Sequence, residues 1–431
     1  MNSIWKKTSS LPSFPSLDGD IDTDVLIIGG GICGVLCAYM LEQNNIDYVL
    51  LEGGSICQKT TANTTAKITS QHGLIYDKLI SEFSSEFARG YYDANEDAIS
   101  EFASMCQNID CDFEFCDSYV FSLKDEEKIS NEAAALEKLS IPFERFNSLD
   151  LPFKTYGAIK FENQAQFNPL KFISAISKDL NIYENSHVTE MKETTAITQN
   201  GRVNAKRVIV ATHFPFINKH GFYFLKMYQH RSYAIALENA PNVNGMYVSN
   251  SDYGLSLRNY GDLLIMGGEG HRPGTKTNAW DGIEKIAKKC FPDSKVVAKW
   301  ATQDCMTLDK VPYIGKYSSK TRNLFVATGF NKWGMSSSMV AAKLLCDIIT
   351  GKENKYASIF SPSRRILRPQ LAINTFEALK GWISFSKKRC PHLGCTLKWN
   401  KHEHTWDCPC HGSRFKENGT VLDGPANENK K

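Results

Sequence analysis

Asp24-Val-Leu-Ile-Ile28-Gly29-Gly-Gly31-Ile-Cys-Gly34-Val-Leu-Cys-Ala-Tyr-Met-Leu41 is an apolar run divided by a cluster of glycines. The apolar residues before the glycines predict a buried strand, and those after them predict a helix. A second short strand is predicted over residues 48–51, and Glu52 follows it. Strand, helix and strand in this order predict one βαβ unit of a parallel sheet.

The glycines at 29, 31 and 34 match the pattern G-x-G-x-x-G. Gly29 allows a tight turn, Gly31 lets a pyrophosphate approach the backbone, and Gly34 packs the helix on the strand. The helix N-terminus then offers N–H groups to the phosphates. Glu52 is placed to bind a ribose hydroxyl, and its carboxylate would repel a 2′-phosphate. The pattern therefore predicts binding of FAD or NAD rather than NADP. The alternative is a βαβ unit whose glycines have a purely structural role.

Two more buried strands are predicted far along the chain, over residues 207–211 and 323–328. The second runs into the glycine-rich turn 329–334 and then into a helix over 335–349, which Gly351 stops. Both strands have the apolar character of a parallel sheet that is covered on its two faces. We therefore expect them to join the first βαβ unit.

Long stretches, residues 73–167 and 216–308, separate these strands. Segments 233–237 and 263–266 within the second stretch read as antiparallel sheet. The predicted fold class is α/β, with a Rossmann-like nucleotide-binding domain that an α+β substrate domain of antiparallel sheet interrupts. The predicted divisions are an irregular surface leader (1–20), nucleotide-binding parts (about 21–72, 168–215 and 309–350), substrate-domain parts (about 73–167 and 216–308), a linker (351–371) and a small module (372–431) whose residues 372–383 have helical spacing.

Composition excludes several classes of protein. Fifty Lys and Arg against 47 Asp and Glu give a net charge of +3, which argues against a nucleic-acid-coating chain. No apolar run approaches the roughly 18 residues of a membrane span, and the N-terminus is not a secretory signal. Nine of the thirteen cysteines are scattered without a disulfide framework, which indicates a reducing compartment. The expected location is the cytoplasm.

The chain over about residues 22–360 resembles the D-amino-acid-oxidase-like flavoproteins, which include glycine, sarcosine and γ-glutamylputrescine oxidases. The resemblance is carried by the glycine pattern with Glu52, the hydroxyl-rich loop 59–67, the segment 211–215 and the strand–turn–helix 327–335. It implies hydride transfer to FAD from a C–N bond, usually of an amine or amino acid. The residues implied at the FAD site are Gly29, Gly31, Gly34, Glu52, Thr60, Thr61, Thr65, Ala66, Lys67, Ala211, Gly329, Trp333, Gly334 and Met335.

Family members with covalent FAD carry a cysteine seven residues before the Asp of a Thr-x-Asp segment. Counting back from Asp309 reaches Thr302, and Cys305 is out of register, so non-covalent FAD is expected. A complete clamp for a substrate carboxylate is not recognisable. The candidates are Arg231, Tyr253, His271, Arg272, Lys332 and Trp333, each of which has an ordinary surface or core role as its alternative.

The C-terminal part contains Cys390-Pro-His392-Leu-Gly-Cys395 and then Cys408-Pro-Cys410-His411. Cys390, His392, Cys408 and His411 could bind zinc as a Cys₂His₂ site, or the four cysteines could do so as Cys₄. The unequal Cys-to-His spacings instead resemble the Rieske [2Fe-2S] motif C-x-H…C-x-x-H.

That resemblance implies that Cys390 and Cys408 bind one iron and that His392 and His411 bind the other. It also implies a disulfide between Cys395 and Cys410. Fewer residues precede the first cysteine than in most Rieske domains. We therefore expect the flavoprotein part to shield the cluster from solvent.

The whole chain resembles bacterial FAD-dependent oxidoreductases that carry a C-terminal Rieske module. The leading hypothesis is that a substrate reduces FAD and that the Rieske centre passes single electrons to an external acceptor. An NAD(P)H-driven reductase would need a second nucleotide fold, for which Gly267–Gly270 is the other glycine cluster. A Rieske oxygenase and a redox sensor without turnover are further alternatives.

Charge along the chain suggests a partner. Residues 380–431 contain ten Lys and Arg and five Asp and Glu, a net charge of +5, whereas the remainder carries −2. This asymmetry favours docking of an acidic electron carrier such as a ferredoxin or flavodoxin, against an ordinary solvated basic surface.

Overall fold

The computed structural model describes residues 2–251, 254–275, 278–364, 371, 374 and 388–429. In chain order, the helices of these residues are α1 (Ile4–Thr8), α2 (Ile32–Gln43), α3 (Tyr76–Glu82), α4 (Ser85–Cys106), α5 (Glu127–Leu139), α6 (Pro169–Ile176), α7 (Tyr223–Lys226), α8 (Ala279–Cys290), α9 (Gly334–Thr350) and α10 (Ala357–Phe360). The strands are β1 (Ile21–Ile28), β2 (Tyr48–Leu51), β3 (Lys67–Ile68), β4 (Glu114–Phe121), β5 (Glu144–Phe146), β6 (Ala158–Gln166), β7 (Ile182–Tyr183), β8 (Glu190–Lys192), β9 (Thr195–Ile197), β10 (Arg202–Val210), β11 (Met227–Glu238), β12 (Met246–Ser249), β13 (Ser256–Tyr260), β14 (Leu263–His271), β15 (Lys295–Thr307), β16 (Tyr313–Lys316), β17 (Leu324–Thr328), β18 (Lys398–Asn400), β19 (Thr405–Asp407), β20 (Arg414–Lys416) and β21 (Val421–Asp423).

The first sheet has the strand order β16-β17-β10-β1-β2-β7, and β9 and β8 extend it from β10. β1 pairs in parallel with both β2 and β10, and β10 pairs in parallel with β17. The βαβ unit and the two distant parallel strands predicted from the sequence are therefore confirmed. Apolar residues fill these strands because helices such as α2 and α9 cover the sheet.

Helix α9 follows β17 after the turn that begins at Gly329. Its C-cap is Gly351, which adopts the left-handed conformation with φ 75°, as a helix-terminating glycine does. The predicted helix and its stop are thus confirmed. α9 packs on α2, so the turns that precede the two helices lie at the same edge of the sheet.

The second sheet has the order β15-β11-β14-β13-β12-β4-β6-β3, with β5 paired to β6. β11 pairs antiparallel with β14 and with β15 over long registers. The predicted antiparallel sheet is confirmed, and so is the α/β fold class with two sheets. The glycine cluster 267–270 lies inside β14, where it forms part of a strand and precedes no helix.

The N-terminal residues differ from the irregular surface leader that the sequence suggested. Ser3 caps α1, and Trp5 within this helix is completely buried. The indole Nε1 of Trp5 donates a 2.7 Å hydrogen bond to the carbonyl oxygen of Thr64, and Leu17 is also buried. A single tryptophan in a polar segment gives no periodic pattern, so its long-range packing was not visible in the sequence.

The first half of the predicted linker is packed rather than loose. Ile359 and Phe360 of α10 are buried, and Arg364 forms a buried ion pair with Asp309, with Nε and Oδ2 3.1 Å apart. The structure does not describe residues 365–370. Of the predicted helical segment 372–383, it describes position 374 alone. Residues 388–429 form a small module with the antiparallel sheet β18-β19-β20-β21.

Candidate functional site

The glycine turn between β1 and α2 has the geometry that its three spaced glycines predict. Gly29 has φ 109°, and a Cβ there would lie 2.6 Å from the carbonyl oxygen of Ala211. A Cβ on Gly34 would collide with the carbonyl oxygen of Gly29, so this glycine packs the helix on the turn. Gly31 is the N-cap of α2 and faces the cavity described below. The first turn of the helix therefore faces the cavity; the Ile32 N–H donates to Thr61 Oγ1 at 3.1 Å, and an anion there would meet the N–H groups that follow.

Glu52 stands at the end of β2 beside this turn. Its Oε2 accepts a hydrogen bond of 2.7 Å from the Gly30 N–H, and its Oε1 accepts one of 2.9 Å from the Gly54 N–H. Two backbone donors thus fix the carboxylate at the cavity wall. A fixed carboxylate at this place fits the ribose-binding role expected from the sequence.

The hydroxyl-rich loop lies beside the glycine turn, and Thr60, Thr61, Thr65 and Lys67 line the cavity. Ala66 lies behind them, where its carbonyl oxygen accepts a 2.9 Å hydrogen bond from Arg258. Burial, followed by the charge of Arg258, lowers the pKa of Lys67 to about 7. The Lys67 Nζ donates to Ser256 Oγ at 2.6 Å.

The turn between β17 and α9 contains three residues with positive φ within four positions. Gly329, Asn331 and Lys332 have φ values of 72°, 51° and 76°. Asn331 Oδ1 accepts a 2.8 Å hydrogen bond from the Thr307 N–H, which holds the turn against β15. Residues other than glycine in this conformation are costly, and they concentrate at functional sites.

The next residues of the same turn face the cavity. Its wall includes Gly329, Trp333, Gly334 and Met335, together with Ala211 at the end of β10. The Trp333 ring stacks on the His72 ring, with centroids 4.9 Å apart and planes 13° from parallel. An indole surface held flat in this way suits contact with a planar ring.

The cavity has a volume of about 1190 Å³. Its wall contains the glycine turn, Glu52, the hydroxyl-rich loop and the turn before α9. A helix N-terminus that faces the cavity, a fixed carboxylate and a stacked aromatic surface fit the phosphates, ribose and flat ring of a flavin dinucleotide. The chemistry of these residues therefore suits FAD.

Alternation along β11 and β15 directs a second set of side chains into the cavity. Tyr228, His230, Ser232, Thr302 and Asp304 line it. Cys305 points the other way and belongs to an apolar cluster of the core. Thr302, seven positions before Asp309, thus lines the cavity, and non-covalent FAD stays a prediction.

Charged groups gather around Lys332 at this wall. Its Nζ donates to Ser232 Oγ at 3.0 Å. Burial lowers the pKa of Lys332 to about 8, although the charge of Asp304 opposes the shift. Burial, and then the charges of Lys332, His271, Lys310 and Arg272, lowers the pKa of His230 to about 2. His230 is therefore neutral, and the wall around it is rich in cations.

His72 is a buried cavity residue that the sequence analysis missed. Its Nδ1 lies 2.6 Å from Tyr91 Oη, and its Nε2 lies 2.8 Å from the Thr69 carbonyl oxygen and 3.0 Å from Ser336 Oγ. Burial lowers the pKa of His72 to about 3, so the ring is neutral. Its partners come from three separate segments, and no local motif marks it.

The structure separates the six candidates for substrate binding. Lys332, Trp333 and Arg272 line the cavity. His271 stacks on Tyr233, with centroids 5.5 Å apart, and its Nδ1 lies 3.0 Å from the Glu269 carbonyl oxygen. Tyr253 lies outside the described residues.

Arg231 is the candidate that the structure contradicts. Its guanidinium binds both carboxylate oxygens of Glu403 in the C-terminal module, at 2.6 Å for Nη2–Oε1 and 2.9 Å for Nε–Oε2. On β11 its side chain alternates with Tyr228, His230 and Ser232, which line the cavity. Arg231 is thus an interface residue: it is not among the residues that line the cavity, and its guanidinium is engaged by Glu403.

In the C-terminal module, two similar loops carry the Cys/His pattern. Gly394 N–H donates to the Cys390 carbonyl oxygen, and Gly412 N–H donates to that of Cys408, both at 2.9 Å. The predicted ligands stand in two pairs with one member from each loop: the Cys390 and Cys408 thiols hydrogen-bond each other, and the His392 and His411 rings are in contact. Cys390, Cys408 and His411 are buried, and His392 is partly buried.

The two histidine rings face each other at a centroid distance of 4.9 Å and an angle of 88°. The Nδ1 atoms of His392 and His411 are buried and have no hydrogen-bond partner among the described residues. Burial lowers the pKa of His392 to about 4 and that of His411 to about 3, so both rings are neutral. Neutral buried imidazoles with an unused nitrogen fit metal ligation.

The remaining two cysteines of the module lie beside these ligands. The sulfurs of Cys395, Cys408 and Cys410 lie within 4.8 Å of one another. The structure does not join Cys395 and Cys410 in a disulfide, and their pairing stays a prediction. Hydrogen bonding with Cys408 and Ser413 lowers the pKa of Cys390, although burial opposes this shift. A lowered pKa favours the thiolate that metal binding requires.

The flavoprotein part covers the histidine rings from outside the module. His392 Nε2 lies 3.2 Å from Asn218 Oδ1, and the ring meets Phe214 edge-on at 6.2 Å between centroids. The His411 ring meets Phe224 edge-on at 6.1 Å. Phe214 also lines the large cavity. One phenyl ring therefore touches the cavity and a predicted cluster ligand.

Polar contacts hold the same interface together beside the rings. Gln303 Nε2 donates to the Gly412 carbonyl oxygen at 2.7 Å, and Gln229 Nε2 donates to that of Gly424 at 2.9 Å. Residues 424–427 and 429 of the module form part of the cavity wall. The module thus completes the cavity as well as docking on it.

Among the helices of the described ranges, none combines the length and apolar composition needed to cross a bilayer.

Comparisons with known proteins agree with this division of the chain. The family model described as FAD dependent oxidoreductase (DAO) matches residues 24–348. The model described as Rieske [2Fe-2S] domain matches residues 363–431. The second match favours a Rieske cluster over both zinc alternatives.

The Bacillus subtilis (strain 168) protein YhfW, whose name describes a Rieske 2Fe-2S iron-sulfur protein, is 36% identical over 98% of this chain and 95% of YhfW. The cytochrome b6-f complex iron-sulfur subunit 1 of Synechocystis sp. is 54% identical over 37 residues, 9% of this chain and 21% of that protein. The structure of glycine oxidase from Geobacillus kaustophilus has a TM-score of 0.67 at 17% identity, covering 80% of this chain and 100% of that chain. At this identity the likeness concerns the fold. The chain belongs to the FAD-dependent oxidoreductase family and carries a Rieske [2Fe-2S] domain at its C-terminus.

Proposed function

We propose that this protein oxidises the C–N bond of an amino acid or a similar anionic amine and passes the electrons singly to an acidic carrier protein. Bound FAD supplies a two-electron acceptor for hydride, and the Rieske cluster supplies a one-electron centre. One observation supports the proposal most directly: Phe214 lines the cavity of the flavoprotein part and also contacts the ring of His392. This contact gives the two centres a packed connection within one chain.

The cation-rich wall argues for an anionic substrate. Lys332 reaches into the cavity, and Lys310 and Arg272 also line it. In this account Lys332 binds the substrate carboxylate through a charge-assisted hydrogen bond. The same positive charges lower the pKa of a substrate ammonium group nearby, which favours the neutral amine that C–N oxidation requires. The glycine oxidase fold relative has an amino acid in its name, which agrees with this class.

We further propose which residues contact each part of FAD. Gly29, Gly31 and Gly34 shape the turn that admits the pyrophosphate, and Glu52 accepts from the ribose hydroxyls. Trp333 and the adjoining turn border the flavin ring, while Thr302 leaves the flavin non-covalent. The remaining residues proposed around FAD are Thr60, Thr61, Thr65, Ala66, Lys67, Ala211, Gly329, Gly334 and Met335.

In the module, the proposed ligands are Cys390 and Cys408 for one iron and His392 and His411 for the other. Cys395 and Cys410 are proposed to form a disulfide between the two loops. Asn218 and the backbone of Phe224 hold the outer edges of the imidazoles, which fixes their orientation toward the metal.

The carrier is proposed to be acidic, such as a ferredoxin or flavodoxin. Two acidic residues of the module, Glu403 and Asp407, form buried ion pairs with arginines and so add little negative charge to the surface. Lys388, Arg389, Lys398, Lys401 and Lys416 are exposed, whereas the exposed acids are Glu417 and Glu428. The exposed charges of residues 388–429 therefore sum to +3, against +1 for all charged residues of that range, and this surface favours steering of an acidic partner. A cytoplasmic location belongs to the same proposal because the scattered cysteines suit a reducing compartment.

Anaerobic mixing of the purified protein with a panel of amino acids and amines tests the proposal. We expect one class of carboxylate-bearing amines to bleach the flavin absorbance, and acidic carriers to restore it. Reduction by NADH or NADPH in place of every amine would identify a reductase. Failure of all amines and both nicotinamides to bleach the flavin would favour a redox sensor without turnover.

A further inference from the structure

Arg272 contacts both the cavity and a cluster loop. It lines the cavity beside Tyr228, and its guanidinium carbon lies 5.0 Å from the centre of that ring. Its Nη2 donates to the carbonyl oxygen of Cys410 at 3.3 Å. Cys410 precedes His411, one of the proposed iron ligands. A fixed positive charge therefore stands between a ligand-binding cavity and a redox centre.

The surroundings hold this charge in place. Arg272 Nη2 also donates to Asn374 Oδ1 at 3.2 Å, and Asn374 Nδ2 donates to the Leu225 carbonyl oxygen at 3.2 Å. Asn374 is buried, with 5% of its surface exposed. Stacking on one side and a buried amide on the other limit the freedom of the guanidinium.

On the cavity side, the charge of Arg272 helps to lower the pKa of His230, for which burial is the main cause. On the module side, its Nη2 lies within hydrogen-bond distance of the Cys410 carbonyl oxygen. Partial burial weakens solvent screening, so a charge there acts on both sites more strongly than a surface charge does. A cation beside a cluster favours its reduced form, which carries one more negative charge.

We infer that Arg272 is a positioning residue through which an anion bound in the cavity changes the reduction potential of the Rieske cluster. An anion near the guanidinium offsets its charge and so lowers the cluster potential. By reciprocity, a reduced cluster weakens binding of the anion. The inference rests on the proposed function for the anionic ligand, and it assigns Arg272 no contact with the reacting bond.

The test is a potentiometric titration of the holoprotein, in which the EPR signal of the reduced cluster is followed. Arg272→Gln should lower the midpoint potential, and Arg272→Lys should restore part of the shift. Arg389→Gln is the matched control, because Arg389 Nη1 also donates to a cluster-loop carbonyl, that of Gly394 at 3.0 Å, but is exposed. Its shift should be smaller because water screens an exposed charge. A midpoint in Arg272→Gln equal to that of the unmodified protein would overturn the inference.

A second arm uses acetate, an unreactive carboxylate, with chloride at equal ionic strength as its control. Acetate should lower the cluster midpoint of the unmodified protein, and less so in Arg272→Gln. No acetate shift in the unmodified protein, or the same shift in the variant, would contradict the inference. Neither arm needs turnover, so failure of every amine to reduce the flavin would reject the substrate proposal without deciding this one.

Discussion

Arg231 of β11 and Glu403 of the C-terminal module form a buried ion pair, with Nη2 and Oε1 2.6 Å apart and 9% of each side chain exposed. Glu403 also accepts from Arg414, which in turn binds Asp407. The pair thus continues into a charged network inside the module. This network joins the Rieske domain to the outer side of the sheet that carries the cation-rich cavity.

We expect Arg231→Met to loosen the module, because it leaves Glu403 buried with one cationic partner fewer. Breaking a buried pair in this way costs about 3–5 kcal/mol. Urea titrations that follow the cluster absorbance should show its loss at lower urea than in the unmodified protein. Lys192→Met is the control, because its pair with Glu190 is exposed and such pairs contribute at most about 1 kcal/mol. Equal urea midpoints for both variants would show that the pair does not hold the module.

Acid should weaken the same interface. Burial raises the pKa of Glu403, but the charges of Arg231 and Arg414 outweigh burial and hold the pKa below its usual value. A carboxyl with a lowered folded-state pKa stabilises the protein above its unfolded pKa of about 4.3, and this contribution is lost as pH falls through the folded value. Arg231→Met should therefore remove part of the acid-dependent loss of cluster absorbance.

Glu52→Arg should weaken FAD retention. The change removes the acceptor for the ribose and for the N–H groups of Gly30 and Gly54. Hydrogen bonds to charged groups are worth about 1.5–3 kcal/mol, which corresponds to roughly 10–100-fold in affinity. Flavin content after gel filtration measures the loss, with Glu52→Gln as the milder variant and the exposed Glu190→Arg as control. Unchanged flavin content in both Glu52 variants would remove this residue from the site.

Lys332→Met should raise KM for a carboxylate-bearing substrate by roughly 10–100-fold, because a charge-assisted hydrogen bond is lost. Lys332→Arg keeps the charge and should retain most of the affinity. Met and Arg, like Lys, are unbranched at Cβ, so neither variant adds backbone strain at φ 76°. With a pKa of about 8, Lys332 is charged below pH 8, so KM should rise above that pH in the unmodified protein. A KM that is the same in the Met variant would assign the carboxylate to another residue.

Electron transfer to an acidic carrier should slow as salt rises past about 0.1 M, where charges are screened within about 10 Å. Stopped-flow oxidation of the reduced protein by a ferredoxin or flavodoxin at several ionic strengths measures this. Lys416→Glu should reduce the low-salt rate and flatten its salt dependence, whereas Lys192→Glu, outside the module, serves as the control. Rates that do not change with salt would reject electrostatic steering.

Local patterns in the sequence were sufficient for several parts of the structure. The glycine turn, the strand before it and the helix after it form within about twenty consecutive residues, so apolar periodicity and glycine spacing show them directly. The Cys/His loops are equally local. The left-handed turn at Asn331 and Lys332 was visible only as a break between a strand and a helix.

Contacts between distant segments could not be predicted in the same way. Arg231 and Glu403 are 172 positions apart, and nothing near either residue shows that one pairs with the other. The sequence therefore offered Arg231 for a substrate carboxylate, although its guanidinium is engaged by Glu403. His72 was missed for the same reason, because its partners come from loop, helix and turn. Trp5 was hidden in a polar leader.

We propose that electrons pass from the flavin site to the cluster within one chain. The most direct test is anaerobic reduction by a bleaching amine, followed by freeze-quench EPR of the native protein and of His411→Cys. We predict a reduced-cluster signal after flavin bleaching in the native protein. In His411→Cys, where a charged thiolate replaces a neutral imidazole and lowers the cluster potential, we predict normal flavin bleaching with a weaker and later cluster signal. Flavin bleaching without any reduced-cluster signal in the native protein would contradict the account.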